Sequence, residues 1–227
     1  MIKTIDLTKK YKNCTAVDRL NLHIQKGELF ALLGVNGSGK TTTIKMLSGL
    51  TRPTSGEIYL GCRKHLIGVS PQETALAQNL TVNENLELMC GIYDLPKSSV
   101  QTLAEQFHLQ EILSKKAGKL SGGFQRRLSL AMALISEPKI LFLDEPTLGL
   151  DVIARSELWD IIRSLKGKVT IILTTHYMEE AEALSDRIGI LKNGKLLTIG
   201  TAAELMQKTG TDKFEQAFIS LVKEAQI

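Results

Sequence analysis

Short apolar runs and longer stretches of helical spacing alternate along this chain. Ile2, Thr4 and Asp6 alternate with Lys3, Ile5 and Leu7, and a second strand-like stretch runs from Ala16 to Ile24. Period-two patterns of this kind predict an antiparallel β flank. Gly27 marks a turn into Glu28–Leu33, a mostly apolar run that reads as a buried strand, and Thr42–Leu50 reads as a helix. Pro53–Gly56 is turn chemistry, and Glu57–Leu60 and Leu66–Ser70 are short strands. From Thr81 to Glu137 the pattern turns helical, with no strand-like run. Asn83 is expected to cap a helix over 84–93, Pro96 or Lys97 to open one ending at Phe107, and Gly122 to begin one reaching Ser136 before Pro138 stops it. Ile140–Leu143, Val169–Thr174, Arg187–Leu191 and Lys195–Ile199 then read as strands, with Asn193-Gly194 as a hairpin turn. Val152–Leu165 and Tyr177–Leu184 read as helices, and two helical segments close the chain. In the last, Phe214, Ala217, Phe218, Leu221 and Val222 suit a helix packed on the core or on a partner. Alternating strands and helices predict a parallel sheet. The expectation is one α/β domain, with a core of about 1–72 and 138–227 and a helical subdomain of about 73–137 inserted into it.

Composition narrows the class. Hydrophobic residues make up 43% of the 227 positions and charged ones 23%, as in an ordinary globular protein. No apolar run approaches the ~18 residues that span a bilayer, and Met1–Leu7 has no signal-peptide core. The chain is therefore expected to be cytoplasmic, or to dock on something in the membrane. The net charge of +4 is spread in pairs such as Lys9-Lys10 and Arg126-Arg127, so no nucleic-acid partner is expected. Cys14, Cys62 and Cys90 are too far apart for a zinc site or a disulfide framework.

Chemistry concentrates where strands end. Gly34, Gly37, Gly39, Lys40 and Thr41 stand in the G-x-x-x-x-G-K-[ST] pattern between a strand and a helix, the context of a phosphate-binding loop. The glycines let the backbone N–H groups of Asn36, Gly37, Ser38 and Gly39 curl round an anion. The helix start at Lys40, Thr41 and Thr42 adds unpaired donors and the positive end of its dipole. Lys40 is then expected to reach the β- and γ-phosphates, and the Thr41 hydroxyl to ligate Mg²⁺. Downstream, an apolar strand ends in Asp144 and Glu145. Asp144 can hold the Mg²⁺ shell, and Glu145 is placed to orient or deprotonate a water.

Between these two features lies Leu120–Phe124, reading Leu-Ser-Gly-Gly-Phe. It resembles the signature motif of ATP-binding cassette (ABC) proteins. The order along the chain is also theirs: phosphate loop, Gln72, signature, acidic strand end, Leu150-Asp151, His176. The resemblance covers nearly the whole chain and implies a P-loop ATPase that binds ATP and Mg²⁺. It implies that Tyr11 stacks on adenine, an aromatic face being suited to a base. It implies that Gln72 contacts Mg²⁺ and water, that Asp151 crosses a dimer interface, and that His176 is a switch histidine on the γ-phosphate. Ser121, Gly122 and Gly123 would serve the γ-phosphate held by an opposite subunit. Ser121 can also cap its helix.

Two departures from the family pattern stand out. Phe124 replaces a glutamine common there, and with Thr147–Asp151 and Thr175–Glu182 this resembles the branch serving drug, antibiotic and ion exporters. Gly61–Leu66 is a short link, which puts the adjoining sheet edge in question. The family reading implies a head-to-tail dimer, with itself or a homologous ATPase, in which each nucleotide is shared. It also implies a separate transmembrane permease, docked near Glu84, Glu87 and Met89, and a place on the inner face of the cell membrane. The alternatives are a soluble ABC ATPase of translation or DNA repair, and a nucleotide-gated clamp without turnover. The first usually carries tandem cassettes or a long coiled-coil insert, and the second has no use for Glu145.

Overall fold

Five consecutive buried residues, Leu29–Leu33, form β4 near the middle of a six-stranded sheet. In this computed structural model, which describes residues 1–224, β4 is flanked on one side by β8 (Thr170–Thr175), β7 (Ile140–Asp144) and β6 (Ile67–Ser70). On the other side lie β9 (Arg187–Lys192) and β10 (Lys195–Gly200). All pairings are parallel except the β9–β10 hairpin. A parallel sheet is covered on both faces, so its strands read as unbroken apolar runs. The period of two still sorts them. Phe30, Leu32, Phe142 and Ile172 face α1 (Lys40–Leu47) and a second sheet. Leu29, Ala31, Leu33, Leu141, Leu143, Ile171 and Leu173 join the cluster that contains the remaining helices.

The second sheet is antiparallel and built around β1 (Ile2–Tyr11), which pairs with β2 (Cys14–Leu20), β3 (His23–Ile24) and β5 (Ser55–Leu60). The expected strand from 16 to 24 is therefore two strands, which pair with different ends of β1. Asn21 lies at the break and holds Asp6, donating from Nδ2 to Oδ1 at 2.9 Å. The alternation in β1 also slips: Ile2 and Thr4 are buried, then Leu7 and Thr8 together. Asp6 has φ +46° at this point and the β1–β5 register shifts, as at a β-bulge. Ser55 and Gly56 belong to β5 rather than to a turn. The short link at 61–66 does not disturb the sheet edge, since β6 pairs with β7 along its whole length.

Between β6 and β7 lie α2 (Val82–Ile92), α3 (Ser99–Gln106) and α4 (Gly122–Leu134), and no strand of either sheet. Thr81, not Asn83, caps α2. Its Oγ1 accepts from Glu84 N at 3.1 Å while its own N donates to Glu84 Oε2 at 2.7 Å. The T-x-x-E spacing of a capping box satisfies two donors at once and outcompetes a lone asparagine. Asn83 instead donates to Glu87 Oε1 at 2.9 Å. Two of the helices end earlier than their apolar spacing suggests, α1 at Leu47 before the left-handed Gly49 and α4 at Leu134.

The carboxyl-terminal third is closer to expectation. α5 spans Val152–Leu165, α6 Met178–Leu184, α7 Ala202–Thr209 and α8 Phe214–Glu224. Phe214, Ala217, Phe218 and Leu221 are buried in the main cluster, so α8 packs on the core. The final segment read from the sequence extends to Ile227, and 225–227 lie outside the described residues. Among the described residues no helix is long and apolar enough to cross a membrane.

Two glycines of opposite character test this packing. A Cβ on Gly68 of β6 would lie 2.2 Å from the Ala133 carbonyl oxygen of α4. Gly68→Ala is expected to destabilise the protein by about 1–3 kcal/mol through overpacking. A Cβ on Gly91 of α2 meets nothing within 4 Å, and Gly91→Ala is expected to stabilise by up to about 1 kcal/mol through helix propensity. Thermal unfolding of the two variants should move in opposite directions. A shift in the same direction would contradict the packing described.

Candidate active site

β4 runs directly into the glycine loop at Gly34. The parallel register sets Leu33 beside Thr175 and Asp144 beside Thr174. The ends of β4, β7 and β8 therefore open on one side, the side where ligands sit in parallel α/β sheets. Gly39 has φ +105°, and a Cβ there would lie 2.4 Å from the Ala16 carbonyl oxygen. A residue with a side chain could neither adopt that backbone readily nor fit against β2. The β9–β10 hairpin clasps the loop as well: Gly194 N donates to the Ser38 carbonyl at 3.0 Å, and Asp18 N donates to the Gly194 carbonyl at 2.8 Å. α1 then starts with no side-chain cap, which leaves its first N–H groups for an anion.

The charged groups meet at the floor of this opening. Lys40 Nζ donates to the carbonyls of Gly34 at 2.7 Å and Val35 at 3.2 Å, and lies 3.3 Å from Glu145 Oε1. His176 Nδ1 lies 3.2 Å from Glu145 Oε2. Thr41 Oγ1 donates to Asp144 Oδ1 at 3.1 Å, and Thr174 Oγ1 donates to the same oxygen at 2.5 Å. Thr174 Oγ1 also accepts from Glu145 N at 3.1 Å. Glu145 has φ +48°, a left-handed conformation that is sparsely populated outside glycine and gathers at functional sites.

The structure brings Tyr11, Asn36, Gly37, Gly39, Lys40, Thr41, Thr42, Gln72 and Glu145 to one cleft of about 600 Å³. Ser38 is buried, and its Oγ has no hydrogen-bond partner. Asp144 is buried too and is tied to the loop through Thr41. Ser121, Gly122, Gly123 and Asp151 do not line this cleft. Gly122 borders a separate cavity of about 360 Å³ with Arg126, Leu150 and, on its other wall, Gln72. Ser121 stands at the N-cap position of α4 but makes no side-chain cap bond, so the capping role open to it is not taken. Asp151 does cap a helix, its Oδ1 accepting from Ala154 N at 2.9 Å.

Sequence reasoning missed several neighbours. Ala16 and Asn193 line the cleft, yet they signal only a strand and a turn in the sequence. Arg126 stands in the sequence only as half of a basic pair with Arg127. It is buried, and its Nη1 donates at 3.0 Å to the carbonyl of Pro71, the residue before Gln72. Burial pulls the Arg126 guanidinium below its ordinary value, and the negative charges of Asp144 and Glu145 act against that.

With this geometry in hand, comparison with known proteins decides the family. The family model described as "ABC transporter" matches residues 17–148. The chain is a member of the ABC transporter family. It is 42% identical to the probable multidrug ABC transporter ATP-binding protein YbhF of Escherichia coli, over 98% of this chain and 42% of that protein. It is 40% identical to the daunorubicin resistance ATP-binding protein DrrA3 of Streptomyces coeruleorubidus, over 91% of this chain and 70% of that one. Among solved structures it superposes on an ATP-binding subunit of an ABC transporter with a TM-score of 0.86 at 29% identity, covering 97% of this chain and 99% of that one. A dimeric ATP-binding cassette in a post-hydrolysis state with ADP and Pi superposes with a TM-score of 0.80 at 28% identity, over 88% and 98% of the two chains. The chain spans less than half the length of YbhF, and about a fifth of plant ABC transporters of the A family that are 45–46% identical to it. The fold of this ABC family member is the mixed α/β cassette of those structures.

The floor of the cleft makes an asymmetric prediction for the nucleotide-free protein. Lys40 and Glu145 expose only 4% and 8% of their side chains. Lys40→Met leaves a buried carboxylate that keeps His176 and the field of Arg126 but no ammonium partner, and is expected to cost about 3 kcal/mol or more. Glu145→Gln leaves Lys40 its two carbonyl acceptors and is expected to cost about 1 kcal/mol. Urea unfolding without nucleotide measures both, and equal costs would contradict the pairing described.

Proposed function

We propose that this chain is the ATP-binding and ATP-hydrolysing part of an ABC transporter. In this reading it is a single ATPase domain, with the α/β core of about 1–72 and 138–227 and the helical subdomain of about 73–137. It drives transport, outward in direction, through a separate membrane permease and works at the cytoplasmic face of that membrane. The observation that carries the reading is the convergence of Lys40, Thr41, Asp144, Glu145 and His176 at the ends of three adjacent parallel strands. Names among the relatives favour export: multidrug, daunorubicin resistance, and Nod factor export in Burkholderia pseudomallei.

Each residue has a role that its position suits. The free N–H groups at the start of α1 and in the glycine loop receive the phosphates. Lys40, held by two carbonyls and Glu145, turns towards the β- and γ-phosphates. Tyr11, 45% exposed at the end of β1, offers its ring to the base. The Glu145 carboxylate accepts a proton from the attacking water, and His176 keeps that carboxylate oriented and contacts the γ-phosphate. Thr41, Asp144 and Gln72 offer hydroxyl, carboxylate and amide oxygens, the hard donor set that Mg²⁺ prefers. Among the described residues no cluster of three acidic, histidine or cysteine side chains could hold a metal alone, which suits an ion shared with nucleotide phosphates. When bound, Mg²⁺ neutralises charge on the β- and γ-phosphate oxygens.

The site is also divided. Ser121, Gly122 and Gly123 stand outside the cleft, where they are available to the nucleotide of a second copy or a homologous cassette. ATP then joins two subunits head to tail, and loss of the γ-phosphate removes the charge that bridges them. Light scattering on Glu145→Gln tests base and division together. Removal of the base is expected to spare binding and give a dimer only with Mg-ATP. A monomer with ATP demonstrably bound would overturn self-pairing as the way the site is completed.

A further inference from the structure

Glu180 is a fully buried carboxyl group that the proposed hydrolysis leaves unused. It lies on α6, four residues after His176. Its Oε1 accepts from Thr147 Oγ1 at 2.8 Å and from Trp159 Nε1 at 3.0 Å. Thr147 is two residues past Glu145 and equally buried, and Trp159 lies on α5. Three segments that surround the reacting groups are thus tied to one oxygen atom. The same helices meet a second time beside it. Arg155 of α5 stacks 4.9 Å from the ring of Tyr177, and that ring lies 4.1 Å from His176. Further along the chain in the other direction, α5 begins against the signature: a Cβ on Gly123 would stand 3.0 Å from Ala154 Cβ.

Such a group is costly. Burial raises the Glu180 carboxyl above its ordinary range, and its hydrogen bonds and the Arg155 charge only partly oppose that. Glu180 Oε2 and Arg155 Nε have no partner. A leucine would cost less in desolvation, since buried polar networks give specificity of geometry more readily than stability.

We propose that Glu180 is a positioning residue, which fixes the loop after Glu145 and the helix after His176 to α5 so that carboxylate and imidazole keep their 3.2 Å approach. The proposal rests on the ATPase reading above. Because α5 also begins at the signature glycines, the clamp ties the nucleotide cleft to the surface offered to the opposite subunit. Glu180 acts as a hydrogen-bond acceptor, so a glutamine can replace it and a leucine cannot.

Steady-state ATP hydrolysis and Trp159 emission test this in the whole chain. Trp159 is the single tryptophan of the sequence, so its fluorescence reports on the clamp directly. Glu180→Leu is expected to lower kcat about tenfold or more with KM for ATP nearly unchanged, as for a misplaced catalytic group. Glu180→Gln is expected to keep kcat within about threefold. Mg-ATP is expected to shift Trp159 emission in the unaltered chain and in Glu180→Gln, but not in Glu180→Leu. Should Glu180→Leu fail to fold, Thr147→Val removes one donor and is expected to lower kcat at constant KM. Unchanged kcat in Glu180→Leu, equal damage from glutamine and leucine, or a KM that rises as kcat falls would each overturn the proposal. An unaltered chain that forms the Mg-ATP dimer without turnover would instead overturn the ATPase reading, and Trp159 emission alone would then decide the clamp.

Discussion

Parallel pairing aligns the ends of neighbouring strands, and the rest of this molecule follows from that alignment in β4, β7 and β8. One strand delivers the glycine loop, one the Asp144-Glu145 pair and one the Thr174–His176 segment, all at the same height. A slip of one residue would turn each of these side chains to the other face of the sheet. The register is held by apolar burial on both faces. Leu29, Ala31 and Leu33 cannot exchange places with Phe30 and Leu32 without emptying one core cluster and overfilling the other. The geometry of the cleft is thus inherited from the packing of residues that do not line it.

The antiparallel sheet and the β9–β10 hairpin complete the phosphate loop rather than decorate the core. Ala16 blocks any side chain at position 39, and Gly194 accepts and donates where the loop turns. The loop is gripped between two elements of different sheets, which keeps its N–H groups pointed inward before any anion arrives. Pre-ordering of this kind spares the ligand the entropy of shaping its own site.

Much of the architecture was legible because it is encoded locally. The apolar run of β4, the glycine spacing and the acids ending β7 are contiguous in sequence, and α5 begins and ends where its pattern says. What was not legible arises from competition or distance. The box formed by Thr81 and Glu84 outcompetes Asn83. The phase slip in β1 follows from a bulge at Asp6, which no alternation count detects. Arg126 and Glu180 look like ordinary helix-surface charges until the fold carries Pro71 to one and Thr147 and Trp159 to the other.

The left-handed backbone at Glu145 has one more consequence. A glycine would relax the strain there, which for a residue with a side chain costs of order 1–3 kcal/mol. The site places a carboxylate instead, between Lys40 and His176. Selection for stability alone would therefore erode this position, and the direction of erosion is known: towards the residue with no side chain at all. A cassette of this fold that carried glycine here would shed that backbone strain and, in the same change, leave the buried Lys40 without its carboxylate neighbour.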